Sequence, residues 1–334
     1  MKENIRFYNA EESPLKVYGM FKEDGQFRRI PQRVAETINE DIVSLSKYTA
    51  GGRIRFRTDS TKVTVNVTLS KVGRWNHWAL TGSAGFDMYT EEEGGCRYVG
   101  TFRPPYDVED TYEQTLEFSD RKLRNILIHF PLYSSVQELY IGLEETCRVL
   151  EPLAYKIEKP VVFYGSSITQ GACASRPGNT YQSILSRKLH FNFINLGFSN
   201  AARAETEIAE YIKNINMSAF VYDYDHNAPT VEYLAKTHER MFKIIREANP
   251  KLPILCMSMP KYYLTESEKK RLEIMNNTYQ NAKANGDANV YLLDGKQLMF
   301  LAEDEGTVDG IHPNDLGYAS MARAMEKVLK DILY

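Results

Sequence analysis

The second half of the chain repeats one pattern five times, and that pattern admits few folds. Apolar runs of four residues stand at 161–164, 193–196, 219–222, 254–257 and 290–293. Amphipathic segments lie between and after them, at 181–190, 204–215, 230–248, 267–285 and 316–333. A strand covered on both faces reads as an unbroken apolar run, and parallel neighbours need a helical crossover between them. The alternation therefore predicts a parallel sheet with helices on both faces. Ligands of such sheets bind beyond the carboxyl ends of the strands.

The residues that carry chemistry fall at those ends. Val161-Val162-Phe163-Tyr164 runs into Gly165-Ser166-Ser167-Ile168-Thr169. A serine at a tight strand-to-helix turn projects its hydroxyl from the sheet rim, and the same residues also suit a plain helix cap. Asp309-Gly310-Ile311-His312-Pro313-Asn314 places a carboxylate three residues before a histidine in a turn. That spacing lets Asp309 accept the Nδ1 proton of His312 and leaves Nε2 facing a serine. The plainer reading is a DG turn ahead of the last helix. Asn195 to Asn200 follows the second run, and Asp223-Tyr224-Asp225-His226-Asn227-Ala228-Pro229 follows the third.

GSSIT at a strand end, the NLGFSN and DYDHNAP stretches, and DGIHPN near the end of the chain come in the order of the blocks of the SGNH/GDSL hydrolase superfamily, which this half resembles. The first half carries Gly85-Phe86-Asp87-Met88-Tyr89, similar to the GxDLY signature of a β domain that precedes one branch of that superfamily. The resemblance implies a flavodoxin-like three-layer α/β/α domain over 160–334, preceded by an all-β sandwich or jelly-roll domain over 1–152. It also implies a Ser167–His312–Asp309 triad working without metal or cofactor. The implied oxyanion donors are the Ser167 N–H, the Asn200 N–H and the Asn227 side-chain amide. Gly197 is a further candidate, a glycine that would face the pocket and permit close backbone approach. Two departures stand out. Ser166 replaces the usual acidic residue before the nucleophile. Asn200 replaces the glycine that usually ends the second block, and Asn tolerates left-handed backbone angles better than most residues.

The first half reads as β on its own terms. Alternating or apolar runs recur at 53–57, 62–69, 86–89, 97–100, 114–118, 124–130 and 138–143, without a long helical period. Regularly spaced short strands predict a sandwich. The pair 53–57 and 62–69, joined by Asp59-Ser60-Thr61, reads as a hairpin, and 91–95 as a hairpin tip. Pro152 to Pro160 reads as the junction between the halves, with Lys156-Ile157-Glu158-Lys159-Pro160 polar and ending in a proline. Arg74-Trp75-Asn76-His77-Trp78 holds both tryptophans, which either wall the active site and stack on a sugar ring or pack in the sandwich.

Composition sets the remaining bounds. A net charge of −3 over 334 residues gives no basis for nucleic acid or an acidic membrane as partner. No run approaches a membrane span. The start lacks an apolar signal region, and Cys96, Cys147, Cys173 and Cys256 lack metal-ligand spacing. A cytoplasmic protein with reduced thiols is the expectation. A homo-oligomer is compatible with the sequence. The 22 tyrosines and the polar rim loops favour a small-molecule or oligosaccharide ester as substrate. The function expected is therefore a serine esterase acting on acyl, chiefly acetyl, esters of carbohydrates. The alternatives are an acylhydrolase or thioesterase of longer chains and a catalytically weak sugar-binding protein.

Overall fold

The computed structural model describes residues 4–92 and 95–334. The chain opens with strands β1 (Ile5–Asn9), β2 (Lys16–Tyr18), β3 (Phe21–Glu23) and β4 (Gln26–Arg28), then helices α1 (Gln32–Ile38) and α2 (Glu40–Leu45). Strands β5 (Arg53–Thr58) and β6 (Lys62–Lys71) and the short helix α3 (Leu80–Ser83) follow. The β half closes with β7 (Phe86–Glu92), β8 (Gly95–Phe102), β9 (Thr111–Glu117), β10 (Arg124–His129), β11 (Ser135–Glu144) and β12 (Val149–Leu150). Two large antiparallel sheets result, in the orders β1-β11-β6-β9 and β12-β5-β10-β7-β8, with β2 on the outer side of β5, and β3 and β4 form a separate two-stranded antiparallel sheet. Ile54 and Phe56 of one sheet meet Val63, Val65 and Val67 of the other in a shared core.

That arrangement corrects the hairpin expected from 53–69. β5 pairs with β10, and β6 pairs with β11 and β9, so the Asp59-Ser60-Thr61 turn carries the chain from one sheet to the other. Alternation reveals which face of a strand is buried, not which strand lies beside it. The hairpin tip expected at 91–95 falls partly on residues 93–94, outside the described residues.

The second half forms the five-stranded parallel sheet. Its strands are β13 (Ile157–Gly165), β14 (Phe191–Gly197), β15 (Ala219–Asp223), β16 (Ile254–Met257) and β17 (Val290–Leu293), in the order β14-β13-β15-β16-β17. The helices are α4 (Ser167–Gln170), α5 (Tyr181–Leu189), α6 (Thr206–Ile212), α7 (Val231–Ala248), α8 (Glu266–Ala284), α9 (Gly295–Leu298) and α10 (Asp315–Leu333). Successive residues of the central strand serve opposite layers. Val162 and Tyr164 pack with Ile208, Leu234, Met241 and Ile245, whereas Val161 and Phe163 pack with Leu185, Met321, Met325 and Leu329. Residues 157–160, expected in the junction, begin β13 instead, with an irregular register against β14 between Ile157 and Val161. The described residues include no helix long and apolar enough to cross a membrane.

Helices α1 and α2 were not foreshadowed by the β pattern, because six or seven residues make too few turns to show a helical period. They also cross the division between the halves. Ile30, Ala35 and Ile42 lie in the same apolar cluster as Leu196, Phe198 and Ile208 of the α/β layer.

The halves are joined along β14, an edge strand, whose outward carbonyls would otherwise lack partners. Two buried arginines supply them. Arg29 donates through Nη1 to the carbonyls of Asn195 (3.1 Å) and Gly197 (2.6 Å). The same guanidinium reaches the carbonyls of Tyr48 and Leu45 at 2.7 Å each and lies over the Phe198 ring. Arg53 donates to the Phe193 carbonyl at 3.0 Å and to Asn192 Oδ1 at 2.7 Å, with its guanidinium 3.8 Å from the Phe193 ring centre. Burial lowers the pKa of both, that of Arg29 to about 9. A second lock lies at the GxDLY-like motif. The buried Asp87 carboxylate accepts from His129 Nδ1 (2.9 Å), Arg176 Nη1 (2.7 Å) and the Gly178 N–H (2.9 Å), and Arg176 also reaches the Tyr89 hydroxyl.

Replacing Arg29 by Met keeps most of the apolar stem and removes the donors to four buried carbonyls. Arg29→Met is expected to cost about 2–4 kcal/mol of stability, read as a lower urea midpoint. An unchanged midpoint would show that water replaces the guanidinium at no cost.

Candidate active site

The five parallel strands end on one rim, and the expected residues lie along it. Gly165 closes β13. A Cβ there would fall 1.6 Å from Asp223 Oδ1, so no other residue fits that turn. Ser166 caps the following helical turn through its hydroxyl, which accepts from the Ile168 N–H at 3.2 Å. Ser167 is the first residue of that turn, where the N–H has no acceptor within the helix. The residue as a whole is 8% exposed. Ser167 Oγ lies 2.9 Å from His312 Nε2, and His312 Nδ1 lies 2.7 Å from Asp309 Oδ2.

The DGIH turn holds this chain of contacts in place. Asp309 Oδ1 accepts from the backbone N–H groups of Ile311 (3.0 Å) and His312 (2.8 Å), which leaves Oδ2 for the imidazole. Partial burial works to raise the Asp309 pKa. The hydrogen bonds from His312 and Ile311 outweigh it and hold the carboxylate at about 2. The Val308 N–H donates to the His312 carbonyl and closes the loop.

The second and third blocks supply the facing wall. Asn200 adopts the left-handed conformation, φ +58°, that its identity permits. Ser199 is fixed through its N–H to Gln170 Oε1 at 3.0 Å. Asn227 donates one amide hydrogen through Nδ2 to the Phe198 carbonyl at 3.0 Å, which ties the two loops and leaves a second amide hydrogen. Gly197 corrects an expectation. Its N–H donates to Asn195 Oδ1, and a Cβ on it would fall 2.1 Å from the Gln170 nitrogen. The close approach it permits is that of α4 to β14, and it does not serve the pocket.

Of the neighbours, Asp225 has structural partners, whereas His226 Nε2 is buried without a hydrogen-bond partner among the described residues. Asp225 accepts from the N–H groups of His226 (3.0 Å) and Met259 (3.1 Å), and burial raises its pKa to about 6. Burial first, and the nearby His312 second, push the His226 pKa down to about 3.

The β half completes the cleft, as the sequence left open. A cavity of about 540 Å³ beside Ser199, Asn200 and His312 is walled by Tyr48, Trp75, Trp78 and Tyr133. The Trp78 and Tyr133 ring centres are 4.3 Å apart, and Trp78 lies 6.2 Å from the His312 ring. Tyr133 donates its hydroxyl to the Ser167 carbonyl at 3.2 Å. His77 Nε2 lies 3.7 Å from Asp309 Oδ2. Tyr133 escaped the sequence reading because it reaches the rim through tertiary placement alone, and His77 entered that reading only as part of the two-tryptophan stretch.

Cys173 also joins this group. Ligand atoms of His77, Cys173 and His312 lie within 4.8 Å of one another, a set that suits a soft divalent ion. His312 already uses both ring nitrogens, so such an ion would displace Ser167 or Asp309.

Beneath the Gly165–Ser167 turn lies a buried carboxyl that sequence reasoning did not assign. Asp223, at the end of β15, accepts through Oδ1 from Thr169 Oγ1 and from the Ser166 N–H at 3.3 Å. Burial raises its pKa to about 8. The folded state therefore holds a proton that the unfolded chain releases near pH 4, and this contribution to stability fades as pH rises from about 4 to about 8. Asn at this position is neutral throughout. The Tm of Asp223→Asn relative to the natural protein should rise between pH 5 and pH 8, and parallel Tm profiles would refute a protonated Asp223.

Comparison with known proteins agrees with this architecture. A family model described as "GDSL-like Lipase/Acylhydrolase family" matches residues 158–330, and one described as "N-terminus of Esterase_SGNH_hydro-type" matches residues 5–149. No curated protein matches. Among solved structures, a Bacteroides ovatus ATCC 8483 protein described as a GDSL-like lipase is 28% identical, with TM-score 0.88 over 99% of this chain and 98% of its own. A salicylyl-acyltransferase from a tetracycline biosynthetic pathway is 18% identical, with TM-score 0.80 over 98% of this chain and 97% of its own. An acetyl xylan esterase from the rumen bacterium Butyrivibrio proteoclasticus is 11% identical, with TM-score 0.62 over 98% of each chain. The last two likenesses are of fold. With the strand-end serine, the DGIH turn and both family models in agreement along its length, this chain belongs to the GDSL-like lipase/acylhydrolase family and carries the N-terminal domain of SGNH-type esterases.

Proposed function

We propose that the protein is a serine esterase that removes small acyl groups, chiefly acetyl, from carbohydrate hydroxyls. The observation that carries this reading is the hydrogen-bonded chain Ser167–His312–Asp309, set against an aromatic wall from the β half. Ser167 Oγ attacks the ester carbonyl while His312 Nε2 takes its proton. Asp309, held ionised, keeps the imidazole in the required tautomer and stabilises its charged form. The tetrahedral oxyanion is met by the Ser167 N–H, the Asn200 N–H and the free amide hydrogen of Asn227. A donor of this kind is typically worth about 3–4 kcal/mol of barrier. The carbonyl re-forms, and His312 returns the proton to the departing sugar oxygen. Water then enters by the same route in reverse and releases the acid.

The sugar part of the reading rests on the character of the cleft. Aromatic faces alternate with Asp41, Lys71, His77 and Asn200, which suits a ring with apolar faces and a hydroxyl rim. A long acyl chain would call for continuous apolar walls. An esterase of known carbohydrate substrate, the acetyl xylan esterase, shares the fold.

Acetate release from acetylated xylo- and manno-oligosaccharides tests the proposal. Ser167→Ala is expected to abolish release, and Asp309→Asn to lower kcat by about 10³- to 10⁴-fold with the fold intact. A series of 4-nitrophenyl esters should fall in kcat/KM from acetate to octanoate. Preference for octanoate, with no acetate from any sugar, would transfer the triad to a longer-chain acylhydrolase.

A further inference from the structure

The Trp75–Trp78 pair has two sides. One faces the catalytic cleft. The other lines a second cavity of about 550 Å³ formed wholly by the β half. The two indole centres are 4.0 Å apart, so together they form the partition between the cavities. The far cavity lies between the segment that carries Arg74 to Trp78 and the loop that carries Tyr106, Asp107 and Glu109. Arg74 Nη2 donates to the Val108 carbonyl and ties the two together. Tyr106 lines this cavity with 94% of its surface exposed, so its ring face is open to a ligand.

We propose that this cavity is a second sugar subsite, which takes an unacylated neighbour of the sugar residue held at Ser167. The inference rests on the carbohydrate-ester reading above. Trp75 and Tyr106 offer flat faces for the C–H face of a pyranose ring. Asp107, Glu109 and Asn76 offer planar polar groups for its hydroxyls, and Arg74 balances part of the acidic charge. Leu80 is the sole aliphatic residue in the lining, whose apolar surface is otherwise aromatic, the kind of face on which a sugar ring stacks. Two carboxylates against one guanidinium do not suit an anionic ligand. Continuity with the cleft through the shared tryptophans makes the two cavities adjoining sites for one chain, and an oligosaccharide should bind better than a single sugar.

Both tryptophans of the protein lie in the partition, so its intrinsic indole fluorescence reports on this wall alone. The experiment is a fluorescence titration of the whole protein with unacylated xylotetraose, cellotetraose and xylose, repeated on Tyr106→Ala and Asp107→Asn. Tyr106 is outside the core, so its truncation leaves the fold undisturbed. A saturable shift with a tetraose is expected, weakened about five- to tenfold by Tyr106→Ala, with xylose weaker still. In parallel, the ratio of kcat/KM for an acetylated tetrasaccharide to that for the acetylated monosaccharide should fall towards one in both variants, through KM. The absence of any fluorescence response, or identical curves for Tyr106→Ala, overturns the subsite while acetate release leaves the esterase reading intact. A Tyr106-dependent response without acetate release sustains the subsite and removes the esterase reading instead.

Discussion

A buried guanidinium with no carboxylate beside it holds this protein together. Arg29 has no acidic partner among the described residues, and its charge is met by four main-chain carbonyls and an aromatic face. Carbonyl dipoles can satisfy a cation in place only if all of them converge, so the contact fixes relative position more stringently than an ion pair between two flexible side chains. The carbonyls belong to α2 and the segment after it on one side and to β14 on the other. Gly197, one of the acceptors, ends β14 immediately before the loop that carries Ser199 and Asn200. The contact that docks the β half thus also sets the height of one wall of the cleft.

The rim shows how a parallel sheet concentrates chemistry without proximity in sequence. Ser167, Asn200 and Asn227 follow three adjacent strands, and the loop with Asp309 and His312 folds back over them. Each is backed by local hydrogen bonds that use up its alternatives: the Asx turn of Asp309, the Asn227 bond to Phe198, the Ser166 cap. The turn before Ser167 lacks an acidic residue, and β15 supplies a carboxyl beneath it in Asp223. Buried and raised in pKa, that carboxyl braces the turn without placing a negative charge under the Ser167 hydroxyl.

The sequence was most legible where one period ran long. The strands and long helices of the second half follow from apolar runs and amphipathic spacing, because burial on both faces leaves a continuous mark. The rim followed from topology and needed no contacts. What escaped detection lacked such a mark. Alternation in 53–69 could not show that β5 and β6 lie in different sheets, and α1 and α2 are too short for a period. Gly197 announced close approach but not what approaches. Trp75 and Trp78 were visible as an oddity with His77 between them, whereas Tyr133 resembles any residue of a β domain until the halves meet. The edge of β14 was invisible because its partner is two side chains, Arg29 and Arg53, rather than a strand.

That substitution of side chains for a strand bears on how the chain comes into being. Synthesis completes the β half first, and its arginines wait for acceptors that lie more than a hundred residues downstream. Until β14 arrives they remain hydrated, and until they dock β14 keeps a row of bare carbonyls along its flank. A severed or stalled α/β half would present that flank to any neighbouring copy, as open sheet edges do when they nucleate aggregates. The β half therefore shields this edge of its neighbour with two side chains, a task that in most sheets falls to a further strand or a covering helix.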